Sequence, residues 1–260
     1  MSKYQLGLAL SGGSIKGFAH LGVLKRMGEL GLQPDIIAGT SAGSLMGALY
    51  ADGYSPEEIL ELFDDRGFAT MTSLRPLGGG VFDTGKFEGF LSTHLRHKRI
   101  EELPTPLRIV ATDLDRGCQH IFTEGPLAKC VVASCSIPVL FNPTEIGGVS
   151  YVDGGLFRNF PVSVLRPDCA LVLGVHLNPA QPSAYKKNIM SVAERSWQLI
   201  FRQNAQYDRQ HCDIIIEPQE AIDVAMFDVT SSRAIMQLGY DLASQVLDSS
   251  DAESKLTLLR

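Results

Sequence analysis

Apolar residues alternate with polar or small ones from Tyr4 to Leu10, the two-residue period of a β-strand. From residue 18 the spacing changes: Leu21, Leu24 and neighbouring apolar residues recur at helical intervals up to residue 30, and Gly31 is placed to close that helix. Between the two lies a glycine-rich turn over residues 12–17. Residues 35–39 predict a second short strand, followed by a helix of small residues from Ala42 to about Ala51, with Gly53 just past its end. Ser55-Pro56-Glu57-Glu58 supplies an N-cap, a proline at the first helical position and a capping-box glutamate, so a third helix starts there.

Further along, residues 107–112 and 118–122 predict two strands about a turn at 113–117, and residues 128–135 an apolar helix that ends before Pro138. Residues 149–152 read as a short strand and Cys169–Val175 as a longer, wholly apolar one of the kind buried in parallel sheets. Residues 189–210 predict a helix, 213–217 a short strand and 233–247 a closing helix. Residues 67–85 have no period and include Gly78-Gly79-Gly80. They read as a long loop, either a lid or binding loop or a plain surface excursion. Strands interleaved with helices predict an α/β layer fold, with a mainly parallel central sheet flanked by helices on both faces.

Composition narrows the class without deciding the function. The chain has 260 residues, a net charge of −6, 45% hydrophobic and 20% charged residues, which suits a globular protein and not a disordered chain, a collagen-like repeat or a disulfide miniprotein. One large or two small domains are both compatible with that length. The acidic balance argues against non-specific binding to nucleic acid. No basic segment followed by an apolar stretch and cleavage site opens the chain, and no apolar run approaches the roughly 20 residues of a spanning helix, so a cytoplasmic location is expected. The five cysteines (Cys118, Cys130, Cys135, Cys169, Cys212) lack CxxC spacing and are expected to be reduced core thiols, not metal ligands.

Three segments carry candidate chemistry. Gly39-Thr40-Ser41-Ala42-Gly43 stands between a strand and a helix, the setting of a nucleophile elbow, although a helix-capping serine would satisfy the same five residues. Ser11-Gly12-Gly13-Ser14-Ile15-Lys16-Gly17 follows the first strand and opens the first helix, so its backbone N–H groups suit an anion, either a phosphate or the oxyanion of a tetrahedral intermediate. It lacks the spacing of a Walker loop and has Ser14 where the dinucleotide fingerprint needs glycine, which disfavours a nucleotide. Tyr151-Val152-Asp153-Gly154-Gly155 ends a strand in an aspartate. Taken alone it is a turn; beside the other two it offers a general base. A serine–aspartate–histidine order would need His176 or His211, neither in a recognisable catalytic turn, and His20 on the first helix suits a structural role.

These three segments, in this order, resemble the patatin-like phospholipase family. The similarity runs through Ala133-Ser134-Cys135-Ser136-Ile137-Pro138 and Asn159-Phe160-Pro161, covering about residues 5–165. The later strand and helices also look like those of small bacterial members, which implies one patatin-like domain over residues 1–260. The resemblance implies a histidine-free dyad of Ser41 as nucleophile and Asp153 as proton acceptor, with backbone N–H groups of Gly12, Gly13 and Ser14 as the oxyanion hole. Lys16, Gly17, Gly39, Thr40, Ala42, Gly43, Gly154 and Gly155 are supporting motif positions. The implied activity is hydrolysis of phospholipids, lysophospholipids or related lipid esters through an acyl-enzyme, with no metal or other cofactor. The implied partners are the lipid ester and a membrane surface met peripherally. Ser14 departs from the family pattern, which has glycine there; a left-handed backbone at that position is costlier for serine. A protein of the same fold that binds lipid or a partner without efficient turnover is the alternative.

Overall fold

The computed structural model describes residues 2–64, 80–82, 84–177, 187–218 and 229–257. In chain order the strands are β1 (Tyr4–Leu10), β2 (Ile36–Thr40), β3 (Gly80–Phe82), β4 (Leu107–Asp113), β5 (Cys118–Phe122), β6 (Val139–Phe141), β7 (Thr144–Ile146), β8 (Val149–Asp153), β9 (Cys169–Val175) and β10 (Ile214–Ile216). The α-helices are α1 (Phe18–Glu29), α2 (Ala42–Ala51), α3 (Pro56–Asp64), α4 (Gly85–His94), α5 (Leu127–Cys135), α6 (Gly155–Arg158), α7 (Val162–Leu165), α8 (Ile189–Arg209), α9 (Ser232–Leu247) and α10 (Ser250–Thr257).

Eight strands form one sheet in the order β10-β9-β1-β2-β4-β8-β7, with β5 also on β4. The half from β10 to β4 is parallel. Its strands are apolar on both sides because both are covered: β2 is buried at every position, and β1 and β9 are buried over their last five. One core cluster joins β1, β4 and β9 to α1, α2, α3, α5 and α9, and a second, around Phe160, Val162 and Val172, lies with α7 and Ala205 of α8. The Ser55–Glu58 capping box forms as the sequence predicts: Ser55 N–H donates to Glu58 Oε2 at 2.7 Å and Glu58 N–H to Ser55 Oγ at 3.2 Å.

The strand pairings decide where the site falls. Ile109 and Val110 of β4 pair with β2 and with β5, so those two strands occupy opposite edges of β4. Ala111, Thr112 and Asp113 pair with both β5 and β8, which puts β8 on the β2 edge. β2 ends with Thr40 opposite Val110, and β8 ends with Asp153 opposite Ala111. The two strands meet end to end along one edge of β4, and the residue after β2 is Ser41.

Several sequence expectations need correction. Most of the loop expected over 67–85 lies outside the described residues, but Gly80–Phe82 pairs in parallel with Val139–Phe141 and Gly85 opens α4. Three-residue strands such as β3, β6 and β7 are too short to show a period. The helix over 233–247 does not close the chain, since α10 follows it. Cys118 is exposed on β5 and is no core thiol.

Candidate active site

Ser41 stands between β2 and α2 with φ 51° and ψ −124°, a backbone conformation disfavoured for any residue with a Cβ. Two close approaches enforce it. A Cβ on Gly39 would lie 2.5 Å from the carbonyl oxygen of Gly43, and one on Gly43 would lie 2.2 Å from that of Leu10 in β1. The elbow is tight because both flanking residues lack side chains. The Ser41 side chain makes no hydrogen bond that caps α2, which removes the helix-capping alternative; its carbonyl oxygen instead accepts from the N–H groups of Ser44 and Leu45 and from Ser44 Oγ. Its N–H donates to Ser134 Oγ at 2.8 Å, and that hydroxyl donates to the carbonyl of Val110 at 2.6 Å. Thr40 Oγ1 donates to the carbonyl of Arg158 at 2.8 Å.

Asp153, at the end of β8, is fully buried. Its N–H donates to the carbonyl of Ser136 at 2.9 Å and its own carbonyl accepts from Thr112 Oγ1 at 2.9 Å, so the backbone is held on both sides. Oδ1 accepts the Gly155 N–H at 2.7 Å. Oδ2 has no aligned donor among the described residues, while the neighbouring Ser41 side chain favours the ionised carboxylate. The serine and the carboxylate are adjacent but not locked together, a resting geometry that a nucleophile and its base can tighten during reaction. Burial pushes the Asp153 carboxyl up to about 6, against the nearby Ser41 side chain and the Gly155 N–H, which favour the charged form. An unperturbed aspartate lies near 3.9; burial in the sheet interior moves this one towards neutrality.

Gly154 is required for the same reason as the elbow glycines: a Cβ there would lie 2.2 Å from the carbonyl oxygen of Val110. On Gly155 it would meet Asp153 Oδ1 and the ring of Phe201, each at 2.9 Å.

The glycine-rich loop lies against the elbow. A Cβ on Gly12 would stand 3.2 Å from Ser41 Cβ, and one on Gly17 2.7 Å from Ala42 Cβ. The Gly12 N–H donates to the carbonyl of Asn159 at 3.0 Å, so it is already committed. The N–H groups of Gly13 and Ser14 have no hydrogen-bond partner among the described residues. Ser14 has φ 51°, the left-handed conformation that glycine would take without cost; serine holds it and keeps the donor. Lys16 is half-buried, and its N–H donates to the carbonyl of Gly13 at 3.1 Å.

No histidine makes a hydrogen bond to Ser41 or Asp153 among the described residues. His176 Nδ1 lies 2.6 Å from Glu217 Oε1, and His211 Nδ1 lies 2.8 Å from the carbonyl of Tyr207. His20 Nε2 meets the carbonyl of Ser11 at 2.9 Å and must donate there; burial lowers its pKa to about 4 and keeps it neutral, which is a structural role beneath the loop. Asp113 is bound by the Arg116 N–H and guanidinium, which hold its carboxyl below the usual range, and Asp115 Oδ2 accepts from Ser150 N–H. Neither is a competing base.

The sequence motifs did not assign roles to Ser134, Asn204 or Trp197. Asn204 of α8 donates to the carbonyl of Gly155 at 2.7 Å and accepts from Asn159 N–H at 2.8 Å, clamping the chain that follows Asp153. Trp197 packs with Ile137 and Leu140, and Leu156 and Phe201 join that apolar cluster beside the aspartate. Serine 134 at least lay within a segment of family resemblance; the α8 residues had no local signal, because a helix face 45 to 50 positions away supplies them.

The fold thus sets a strained serine at a strand–helix elbow beside a buried carboxylate on an α/β sheet, with a glycine-rich loop packed against the elbow. Residues 8–166, more than half of the chain, match the family described as patatin-like phospholipase, and the chain belongs to that family. Membership supports lipid hydrolysis as the class of chemistry. The chain is 28% identical to the uncharacterized protein YqhO of Bacillus subtilis, over 88% of its own length and 93% of that protein's. It is 32% identical to patatin-like phospholipase domain-containing protein 7 of Rattus norvegicus over 62% of its length, but only 12% of that protein's. An NTE family protein of Mycobacterium bovis is 34% identical over 63% of this chain and 28% of its own. Among solved structures, VipD of Legionella pneumophila aligns over 95% of this chain and 67% of its own, with a TM-score of 0.49 and 15% identity.

Proposed function

We propose that this protein is a serine–aspartate lipid acyl hydrolase that cleaves carboxylic esters of phospholipids, lysophospholipids or related lipids. The observation that carries the reading is the junction of β2 and β8 on β4, which sets the strained Ser41 beside a buried carboxylate raised to about 6. Ser41 Oγ attacks the ester carbonyl carbon as its proton passes to Asp153 Oδ2. The carbonyl oxygen becomes an oxyanion facing the N–H groups of Gly13 and Ser14 and the N-terminus of α2. Collapse of this intermediate returns the proton to the departing alkoxide and leaves Ser41 acylated. Asp153 then takes a proton from water as it attacks the acyl carbon, and the acid leaves with the serine restored.

The apolar cluster of Ile137, Leu140, Trp197 and Phe201 beside the aspartate favours a hydrocarbon acyl group. Among the described residues no helix is long and apolar enough to cross a membrane. α8, which contributes Trp197 and Phe201, also exposes Ile189, Val192, Leu199 and Ile200, which supports a peripheral meeting with a lipid surface. A fluorophosphonate should label the wild-type chain and not Ser41→Ala; absence of labelling, or labelling that survives the substitution, overturns the assignment.

A further inference from the structure

Asn159 follows α6, six residues after Asp153, and its backbone is fully engaged. Its N–H donates to Asn204 Oδ1 and its carbonyl accepts the Gly12 N–H. Its side chain is the opposite case. Asn159 is completely buried, and neither Oδ1 nor Nδ2 has a hydrogen-bond partner among the described residues. A buried primary amide with all its hydrogen-bonding capacity unused is costly, and folded chains rarely keep one without a use.

The position of that amide indicates the use. The point where a Gly12 Cβ would stand is 2.4 Å from Asn159 Oδ1 and 3.2 Å from Ser41 Cβ, and these are its two nearest atoms. The amide and the nucleophile therefore both border the space beside Gly12 that its missing side chain leaves, a space that one methyl group would overfill. Rotation about the last side-chain bond exchanges Oδ1 for Nδ2, and no hydrogen bond among the described residues opposes it. Nδ2 then stands where Oδ1 stood, a donor beside the same Gly12 position that Ser41 Cβ approaches. The same residue occupies the Gly12 N–H with its carbonyl, so it withdraws one backbone donor from the loop and offers a side-chain donor near the same place.

We propose that the side-chain amide of Asn159 is a catalytic oxyanion donor, acting with the N–H groups of Gly13 and Ser14 on the intermediate formed at Ser41. The inference rests on the acyl-transfer reading above.

The test uses Asn159→Ala and the isosteric Asn159→Asp in the full chain, with three readouts. These are turnover of a soluble nitrophenyl ester, affinity for a trifluoromethyl ketone that forms a hemiketal oxyanion on the serine, and thermal unfolding. Both variants should lower kcat by about 10²–10³-fold, the usual effect of deleting one such donor, with KM little changed. Affinity for the ketone should fall by a similar factor, and the unfolding midpoint of Asn159→Ala should stay or rise, because no partner loses a bond. The aspartate keeps the shape and reverses the interaction, so its loss should be at least as large even if the alanine variant folds poorly. Turnover within about threefold of wild type in both variants overturns the proposal. So does a loss of turnover that follows a lowered midpoint while ketone affinity is unchanged, since that marks a structural brace. A wild-type chain that neither turns over ester nor reacts with a fluorophosphonate overturns the acyl-transfer reading itself, a result separable from both of these.

Discussion

The N–H of Ser41 donates to Ser134 Oγ, 93 positions away, and the same hydroxyl donates to Val110 in β4. One side chain therefore ties the strained elbow to the strand that organises the site. Ser134→Ala should leave the buried Ser41 N–H without a partner and destabilise the fold by about 1–3 kcal/mol. Urea unfolding would measure that cost. Ester turnover should also fall, because φ at Ser41 is no longer held.

Asp153→Asn should abolish turnover and stabilise the protein at neutral pH. The folded-state pKa, about 6, lies above the unfolded value of 3.8, so between them the native state binds the proton that the unfolded state has released. Stability contributed by this group therefore falls as pH rises through that window, by up to about 3 kcal/mol above it. The stability gap between Asp153→Asn and wild type should be small at pH 4 and open towards pH 7. A gap independent of pH would mean that burial does not raise the carboxyl. In the wild type, kcat/KM should rise as pH passes through about 6.

Ser14→Gly should be tolerated. It relieves a left-handed serine and keeps the N–H, so stability should rise by up to about 1 kcal/mol. Turnover should be retained; a large loss would show that the Ser14 hydroxyl contributes to the site.

Two glycines make a paired test of the packing. Gly43→Ala places a Cβ 2.2 Å from the carbonyl oxygen of Leu10, and nothing but backbone is available to move. It should cost about 3 kcal/mol or fail to fold. Gly28 is exposed in α1 with no atom within 4 Å of an added Cβ, so Gly28→Ala should stabilise by about 1 kcal/mol through helix propensity. Thermal unfolding of the two variants should move in opposite directions.

On α8, Val192→Asn with Leu199→Asn removes exposed apolar surface and should change stability by less than about 0.5 kcal/mol per site. Hydrolysis of phospholipid vesicles should fall while that of a soluble ester stays the same. Equal effects on both substrates would remove this face of α8 from the encounter with lipid.

The strands and helices with a long, clean period were legible without coordinates: Tyr4–Leu10, Ala42–Ala51 and Cys169–Val175 have the predicted bounds. So were the elbow at Ser41 and the turn after Asp153, because each needs particular small residues at fixed local spacing. The departure at Ser14 was also readable as a question of backbone conformation, and the φ of 51° answers it. Relations between distant segments were not. That β8 continues the edge of β4 where β2 stops is a property of sheet pairing, and it alone brings Asp153 to Ser41. The hydrogen bond from Gly12 N–H to Asn159, the clamp from Asn204 and the rise of the Asp153 carboxyl all follow from burial and contact across 45 positions or more. Local sequence encodes turn chemistry and periodicity because those depend on neighbours in the chain. Proton affinity and donor availability depend on neighbours in space, and only the folded sheet decides those.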